Sequence, residues 1–415
     1  MNVGIVTAWY ECGAGYVSRQ YSELLSPDFN VFIFARGGWG SGVREPNWDC
    51  ENTTWANQFP IPMSTVFNKR MFLEWISNNK IDIVLFNEQS WWLPVLWCKE
   101  LNVMCGAYID YYTEETIPLF AAYDFLLCNT KRHYEAFNWH SNAHYLPWGT
   151  NIELFSPSHK NNENQSKDGI SFFHSAGNAP ERKGTDLLIK AFSQIEGDKR
   201  LIIHSQVNLH NRIPMQKTMM KDLISRGELQ IINETVSAPG LYHLGDVYVY
   251  PSRLDGLGLT IVEAISCGLP TIVSDSQPMN EFITEATGKT VSVDKFYARA
   301  DGYYWPQSDV SITDLSAKMK WYIDRAENIR VLKRNARTYA VTHFDWKNNR
   351  SNLTQIFKEA KFSFNQTSLD RIYKFELNRS RRHLAIMIFR RWPRIYEWLA
   401  INISKVLGNP SYKGI

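Results

Sequence analysis

The chain has 415 residues, of which 44% are hydrophobic and 14% aromatic, and its formal net charge is +3. That length gives room for two or three domains with full cores, and the aromatic content argues against a disordered chain. The charge is uneven, because residues 371–415 carry ten Lys/Arg against two Glu while the rest carries 35 Lys/Arg against 40 Asp/Glu.

The chain opens on an apolar strand, Val3-Gly-Ile-Val-Thr7, without a basic start leading into a long apolar run. No secretory signal is therefore expected. No run of about 18 apolar residues occurs, so no membrane-crossing helix is expected either. Strands are predicted at 3–8, 31–35, 82–87, 104–109, 125–128 and 144–147, with helices over 16–25 and 66–78. Short apolar runs alternating with helices indicate a parallel sheet covered on both faces. The polar stretch His159–Asp168 reads as a linker. A second series follows, with strands at 170–174, 200–204, 229–232, 247–250 and 270–274 and helices near 184–195, 213–226, 259–267 and 313–326. The fold class is thus α/β, with two Rossmann-like domains facing a cleft. The expected divisions are 1–157, a linker at 158–169, 170–345 and a terminal region 346–415.

The six cysteines are scattered without a CxxC pair, which leaves a structural zinc or redox site without support and predicts mostly buried free thiols. Gly13-Ala-Gly15 lacks the third glycine of a dinucleotide fingerprint, and the following strand ends at Arg36 without the acid that an NAD ribose needs. An oxidoreductase is excluded on that basis.

The most informative segment is Pro251-Ser-Arg-Leu-Asp-Gly-Leu-Gly-Leu-Thr-Ile-Val-Glu263. It follows a strand and offers an acid, two glycines and the start of a helix carrying a second acid. Glycines allow close backbone approach, and a helix start favours anions. Blander readings stay open. Thr260-x-x-Glu263 fits a capping box, Asp255-Gly256 fits a turn, and Lys183 fits a solvated helix start.

Four motifs in order resemble the retaining glycosyltransferases of family 4, which have the two-domain GT-B fold. They are the strand leading to Gly13-Ala-Gly15, Leu146–Pro157, Lys183–Phe192 preceded by Gly177-Asn178, and Asp255 to Glu263 continuing to Pro270. The resemblance covers roughly residues 1–360. It implies C-terminal helices crossing back to the first domain, and a nucleotide-sugar donor as substrate. In that scheme Glu263 holds the donor ribose and Asp255 faces the sugar hydroxyls. Backbone N–H groups of Gly256, Leu257, Gly258 and Leu259, at the helix start with Thr260, meet the sugar and diphosphate. Lys183 and Arg182 neutralise the diphosphate, and Gly13 and Gly15 let the first domain approach donor or acceptor. The family's first acid is usually Glu, so Asp255 is one methylene short, and Asn178 stands where an Arg is usual.

On the acceptor side, Asp110 is the candidate for binding or deprotonating the acceptor hydroxyl, with Glu88 of Asn87-Glu88-Gln89 as the alternative. The resemblance further implies transfer to a glycan or lipid-linked acceptor in surface polysaccharide or lipopolysaccharide synthesis. It implies a front-face mechanism without metal or other cofactor, and a cytoplasmic protein. Alternatives are an epimerase or phosphorylase of the same fold, or an inactive sugar-nucleotide-binding protein.

The tail places Trp392, Ile395, Tyr396, Leu399, Ile403, Val406 and Leu407 at helical spacing beside Arg390, Arg391, Arg394 and Lys405. Packing on the first domain and peripheral contact with an anionic inner membrane face both remain open. Nucleic acid is not an expected partner, since no reading module is present.

Overall fold

A computed structural model of the protein describes residues 1–36, 46–56, 65–158 and 169–391, together with Trp398 and Asn402; side chains in the last helix are described through Arg381 and at Leu384. The linker stretch 159–168 and the apolar stripe from Trp392 to Leu407 lie outside the described residues, as do the side chains of Arg390, Arg391, Arg394 and Lys405.

The first unit contains β1 (Asn2–Ala8), α1 (Gly13–Leu25), β2 (Asn30–Arg36), β3 (Thr53–Trp55), α2 (Lys69–Asn78), β4 (Ile83–Asn87), α3 (Leu93–Glu100), β5 (Met104–Tyr108), β6 (Phe125–Cys128), α4 (Lys131–Phe137) and β7 (Ala143–Tyr145). Its strands pair in the order β3-β2-β1-β4-β5-β6-β7, all parallel. The second contains β8 (Ile170–Gly177), α5 (Thr185–Ser193), β9 (Lys199–Ser205), α6 (Leu209–Arg212), α7 (Lys217–Ser225), β10 (Leu229–Asn233), β11 (Val247–Tyr250), α8 (Leu259–Ser266), β12 (Thr271–Ser274) and β13 (Gly288–Val291). Its order, β10-β9-β8-β11-β12-β13, repeats the doubly wound pattern. Strands such as β4 and β11 are buried at every residue, as expected of parallel strands covered on both faces.

Several elements escape the periodicity. The strands β3 and β13 are short edge pieces, and α4 is a seven-residue polar helix announced only by its Thr130 cap. An antiparallel hairpin, β14 (Val293–Tyr297) and β15 (Gln307–Val310), is added to the second unit. Of the cysteines, Cys98, Cys105, Cys128 and Cys267 are buried free thiols, whereas Cys50 is exposed.

After α9 (Ile312–Ile323) and α10 (Ile329–His343) the chain returns to the first unit. Thr150 donates to Phe344 (2.7 Å) and accepts from Trp346 (3.2 Å). The next helix, α11 (Arg350–Glu359), packs Phe357 against Phe29 and Phe125 and pairs Arg350 with Asp28. The last, α12 (Gln366–Arg391), lies on α3, where Glu376 accepts the Trp92 N–H. The crossing-back expected of the terminal helices is observed through this contact. One apolar cluster is continuous across the two units, from Val3, Tyr21 and Trp148 to Tyr248, Leu257 and Phe344.

The returning segment is anchored by Asp124, which accepts from Lys99 (2.6 Å), from the Cys105 N–H and from the Ser363 N–H (2.7 Å), with both ion-pair side chains essentially inaccessible to water. Removing one member of such a pair strands a buried charge. Asp124→Ala is therefore expected to lower stability by about 3–5 kcal/mol in a guanidinium titration. A loss below about 1 kcal/mol, the range of an exposed pair, would show that Lys99 finds water there.

Candidate active site between the two sheets

In both sheets the strand order reverses at one point, between β1 and β4 and between β8 and β11. Open α/β sheets bind ligands outside the carboxyl ends of strands at such reversals. The loop 251–258 leaves β11 there, and Gly177 ends β8 beside it with open space where a side chain would stand.

Asp255 is the centre of the loop. One oxygen, Oδ1, accepts the N–H groups of Leu257 (3.2 Å) and Gly258 (3.0 Å). The other, Oδ2, accepts from Lys183 Nζ (2.8 Å) and from the Tyr250 hydroxyl, with Arg182 at 3.7 Å. Burial works to raise this carboxyl, but Lys183 and then Arg182 outweigh it and hold it well below the usual carboxylate range. A carboxylate has about four lone-pair sites, and four donors occupy them here. The turn and the charged role are therefore both real. In this structure the acceptor capacity of Asp255 is engaged within the protein.

Lys183 also donates to Tyr250, so two of its three N–H groups are committed and one remains. Its side chain is 14% exposed, which sets aside the solvated helix-start reading; Arg182 is 38% exposed and commits one donor to Leu254 O (2.8 Å). Arg182 is thus the more accessible cation of the two. Asn178 is exposed beside Gly177.

Gly258, at φ +82°, is the N-cap of α8, so Thr260 sits inside the first turn and no capping box forms. Glu263 instead accepts from the Tyr242 hydroxyl. Burial pushes Glu263 up to about 7 against the opposing pull of Tyr242 and Lys183. The N–H groups of Leu257 and Gly258 are taken by Asp255, whereas those of Leu259 and Thr260 have no backbone acceptor among the described residues.

The first unit supplies the facing wall. A side chain on Gly13 would touch only Leu259 (3.7 Å), so the starts of α1 and α8 face each other. Gly15 is different, since a Cβ there would lie 2.1 Å from Tyr10 O; its own loop, not a ligand, requires the glycine. Asp110, just beyond β5, presses its Oδ1 on Gly256. Its carboxyl is hydrogen-bonded to Glu88, which sits just after β4 at φ +51°. Burial pushes both carboxyls up, and for Asp110 the negative Glu88 and Asp255 add to the rise. Neighbouring carboxyls of this kind disfavour ionising together. Arg36 holds this corner by donating to Asn87 O and Glu88 O. Asn87 donates to Ala14 O and Ser18 and Gln89 donates to Thr65 O and Trp91 O, whereas Glu88 reaches Asp110.

The structure thus gathers Asp255, Lys183, Arg182, Gly256, Gly13 and Asp110 at one seam, with Glu263 one helical turn further along α8. Sequence reasoning passed over Tyr250 and Tyr242. The first was read only as a strand residue, and nothing marked the second. Among the described residues no group of three or more His, Cys, Asp or Glu is placed to hold a metal ion.

Residues 158–339 match the family model of glycosyl transferases group 1. A mannosyltransferase of Corynebacterium glutamicum, GDP-mannose-dependent and acting on monoacylated phosphatidylinositol monomannoside, is 27% identical over 180 residues, 39% of this chain and 46% of that protein. The lipopolysaccharide core mannosyltransferase LpsB of Rhizobium meliloti is 24% identical over 37% of this chain and 47% of its own length. The chain spans about half the length of these curated relatives. Among solved structures, sucrose-phosphate synthase of Thermosynechococcus elongatus superposes with a TM-score of 0.66 at 17% identity, covering 86% of this chain and 98% of that one. Anabaena HepE with UDP gives 0.67 at 12% identity, covering 86% and 99%. These likenesses establish the fold, a two-domain frame of the GT-B kind, and residues 158–339 are similar to the glycosyl transferases of group 1.

Proposed function

We propose that this protein is a retaining glycosyltransferase of family 4 that moves a hexose from a nucleotide-sugar donor to a glycan or lipid-linked acceptor in surface polysaccharide or lipopolysaccharide synthesis. The observation that carries this reading is the cation pair Lys183 and Arg182 beside the open start of α8. Negative charge grows on a nucleoside diphosphate as the glycosidic bond breaks, and fixed donors aimed at it lower the barrier without a metal. Glu263 accepts the ribose hydroxyls, and Asp110 with Glu88 orients the acceptor hydroxyl. The leaving phosphate takes the acceptor's proton in a front-face transfer, with no covalent enzyme intermediate. The mannosyltransferase relatives make GDP-mannose the first donor to test. The basic tail over residues 380–407 is the part proposed to rest on an anionic membrane face; no described helix is long and apolar enough to cross one.

Thermal unfolding with GDP, UDP, ADP and their sugars tests the reading. A true donor at 100 times its dissociation constant adds about 2.7 kcal/mol, and no shift with any of them would sink the proposal. Binding should also follow the ionisation of Glu263, since the protonated acid accepts fewer hydrogen bonds. With Glu263 pushed up to about 7, donor affinity is expected to rise about tenfold between pH 6 and pH 8, one proton per site. Calorimetric titration at both pH values checks this, and Glu263→Gln should flatten the dependence. A second reading, a binder without transfer, is favoured by the full engagement of Asp255. Slow release of free sugar from the donor excludes it.

A further inference from the structure

Two consecutive carbonyls of the loop, Asp255 O and Gly256 O, accept hydrogen bonds from two consecutive side chains of the other unit. Arg132 donates to Asp255 O (2.5 Å) and to Gln277 O (2.7 Å). His133 Nε2 lies 2.9 Å from Gly256 O. A carbonyl only accepts, so His133 carries its proton on Nε2 and its Nδ1 is an acceptor. The partner of Nδ1 agrees. Tyr112 Oη stands 2.9 Å away as donor, and Tyr112 in turn accepts from Trp305 Nε1–H. The chain of donors therefore runs in one direction, from the hairpin of the second unit through the first unit and back to the loop.

The start of α4 is held from the same side. Glu281 accepts the N–H groups of Lys131 (2.7 Å) and Arg132 (3.0 Å). Burial first, and then Arg132, pushes His133 down to about 3, so the ring stays neutral across the physiological range. Asp255 O and Gly256 O are also the carbonyls that would receive the N–H groups of Leu259 and Thr260 if α8 ran further back. Both carbonyls are taken from outside the helix, and those two N–H groups have no backbone acceptor among the described residues.

We propose that Arg132 and His133 are positioning residues for the donor loop: they hold the 255–256 carbonyls across the seam, so the loop reaches its transfer-competent shape only against the first unit. This rests on the proposed transferase function for its catalytic consequence, though not for its structural one. The cations proposed to face the diphosphate, Lys183 and Arg182, and the ribose acceptor Glu263 all belong to the second unit, so nucleoside diphosphate binding does not need the contact, whereas sugar transfer does.

The test uses the full chain with His133→Leu, His133→Gln and Tyr112→Phe. Gln can donate to Gly256 O and accept from Tyr112, whereas Leu can do neither. Tyr112→Phe frees Nδ1, so the ring is no longer confined to the Nε2–H form. Without any ligand, amide exchange at Leu257 and Gly258 is expected to be at least tenfold faster in His133→Leu, at least threefold faster in Tyr112→Phe, and within twofold of the native rate in His133→Gln. With GDP and UDP, calorimetric affinity should stay within twofold in all three. With GDP-mannose as the first donor, kcat should fall at least tenfold in His133→Leu and recover in His133→Gln. Unchanged exchange in both His133→Leu and Tyr112→Phe overturns the proposal, as does a Gln variant no better than Leu, or nucleotide affinity falling in step with kcat. A native protein that binds none of GDP, UDP, ADP and their sugars would defeat the transferase reading alone, because the exchange measurements still decide the positioning role.

Discussion

Asp255→Asn is expected to reduce sugar transfer by roughly 100-fold or more, from the 3–5 kcal/mol that follows when one member of a buried ion pair is removed. Asp255 accepts from Leu257, Gly258, Lys183 and Tyr250 at once. An amide offers one acceptor oxygen in place of two and presents N–H groups of its own to the remaining donors. Either the turn at Leu257 and Gly258 opens or Lys183 loses its anion. Lys183, largely buried, would then shift toward the neutral amine, and the charge proposed to meet the diphosphate would fall. Lys183→Met should reach a similar loss from the other side, with Asp255 left to the more distant Arg182 as its only cation among the described residues. Asp255→Glu is the informative control. If the residue clamps the donor sugar directly, the longer acid raises activity or changes the preferred donor. The saturated geometry predicts instead a loss of about tenfold, the scale of one charged hydrogen bond, because one extra methylene cannot satisfy both the turn and Lys183. Steady-state kinetics of the three variants on a common donor distinguish these outcomes, and full activity in Asp255→Asn would remove Asp255 from the site.

Gly256→Ala is expected to slow transfer at least tenfold while leaving nucleoside diphosphate binding within twofold. A Cβ on Gly256 would lie 2.2 Å from Asp110 Oδ1, far inside contact distance. Overpacking of this kind costs about 1–3 kcal/mol, and here it acts across the seam between the two units. Asp110 cannot simply swing aside, because its carboxyl is hydrogen-bonded to Glu88, whose backbone is in the left-handed region with its carbonyl held by Arg36. The double variant Gly256→Ala with Asp110→Ser tests the cause. The smaller side chain makes room for the methyl group, so the penalty of the alanine should shrink, giving a coupling of at least about 1 kcal/mol in a double-mutant cycle. An additive cycle would show that the alanine acts through the loop backbone and not through Asp110.

Much of the architecture was legible along the chain because its signals are local. Alternating apolar runs and helical periods mark β1, β2, β4, β5, β6, β9 and β11 nearly to their ends. The same kind of signal fails for β3, with three residues, and for α4, whose seven residues carry more polar than apolar groups. The Thr260–Glu263 spacing suggested a capping box, but α8 begins two residues earlier than that box requires, from Gly258 at positive φ. Such a shift in a helix start changes every cap assignment, and sequence spacing does not resolve it.

The spacing of Asp255 and Glu263, the glycines between them and the lysine after Gly177-Asn178 were readable without coordinates, since each expresses what a few neighbouring residues need from their own backbone. The tertiary structure decided which donors each acceptor meets. It filled Asp255 with Lys183 and Tyr250, gave Glu263 to Tyr242, set Asp110 against Gly256 and brought Arg132 and His133 to the same loop. Lys183 and Asp255 are 72 positions apart along the chain, and Arg132 with Asp255 and His133 with Gly256 are each 123 apart. No periodicity records them, because a hydrogen bond depends on the final distance and direction between two groups, and those exist only once both sheets have folded and docked.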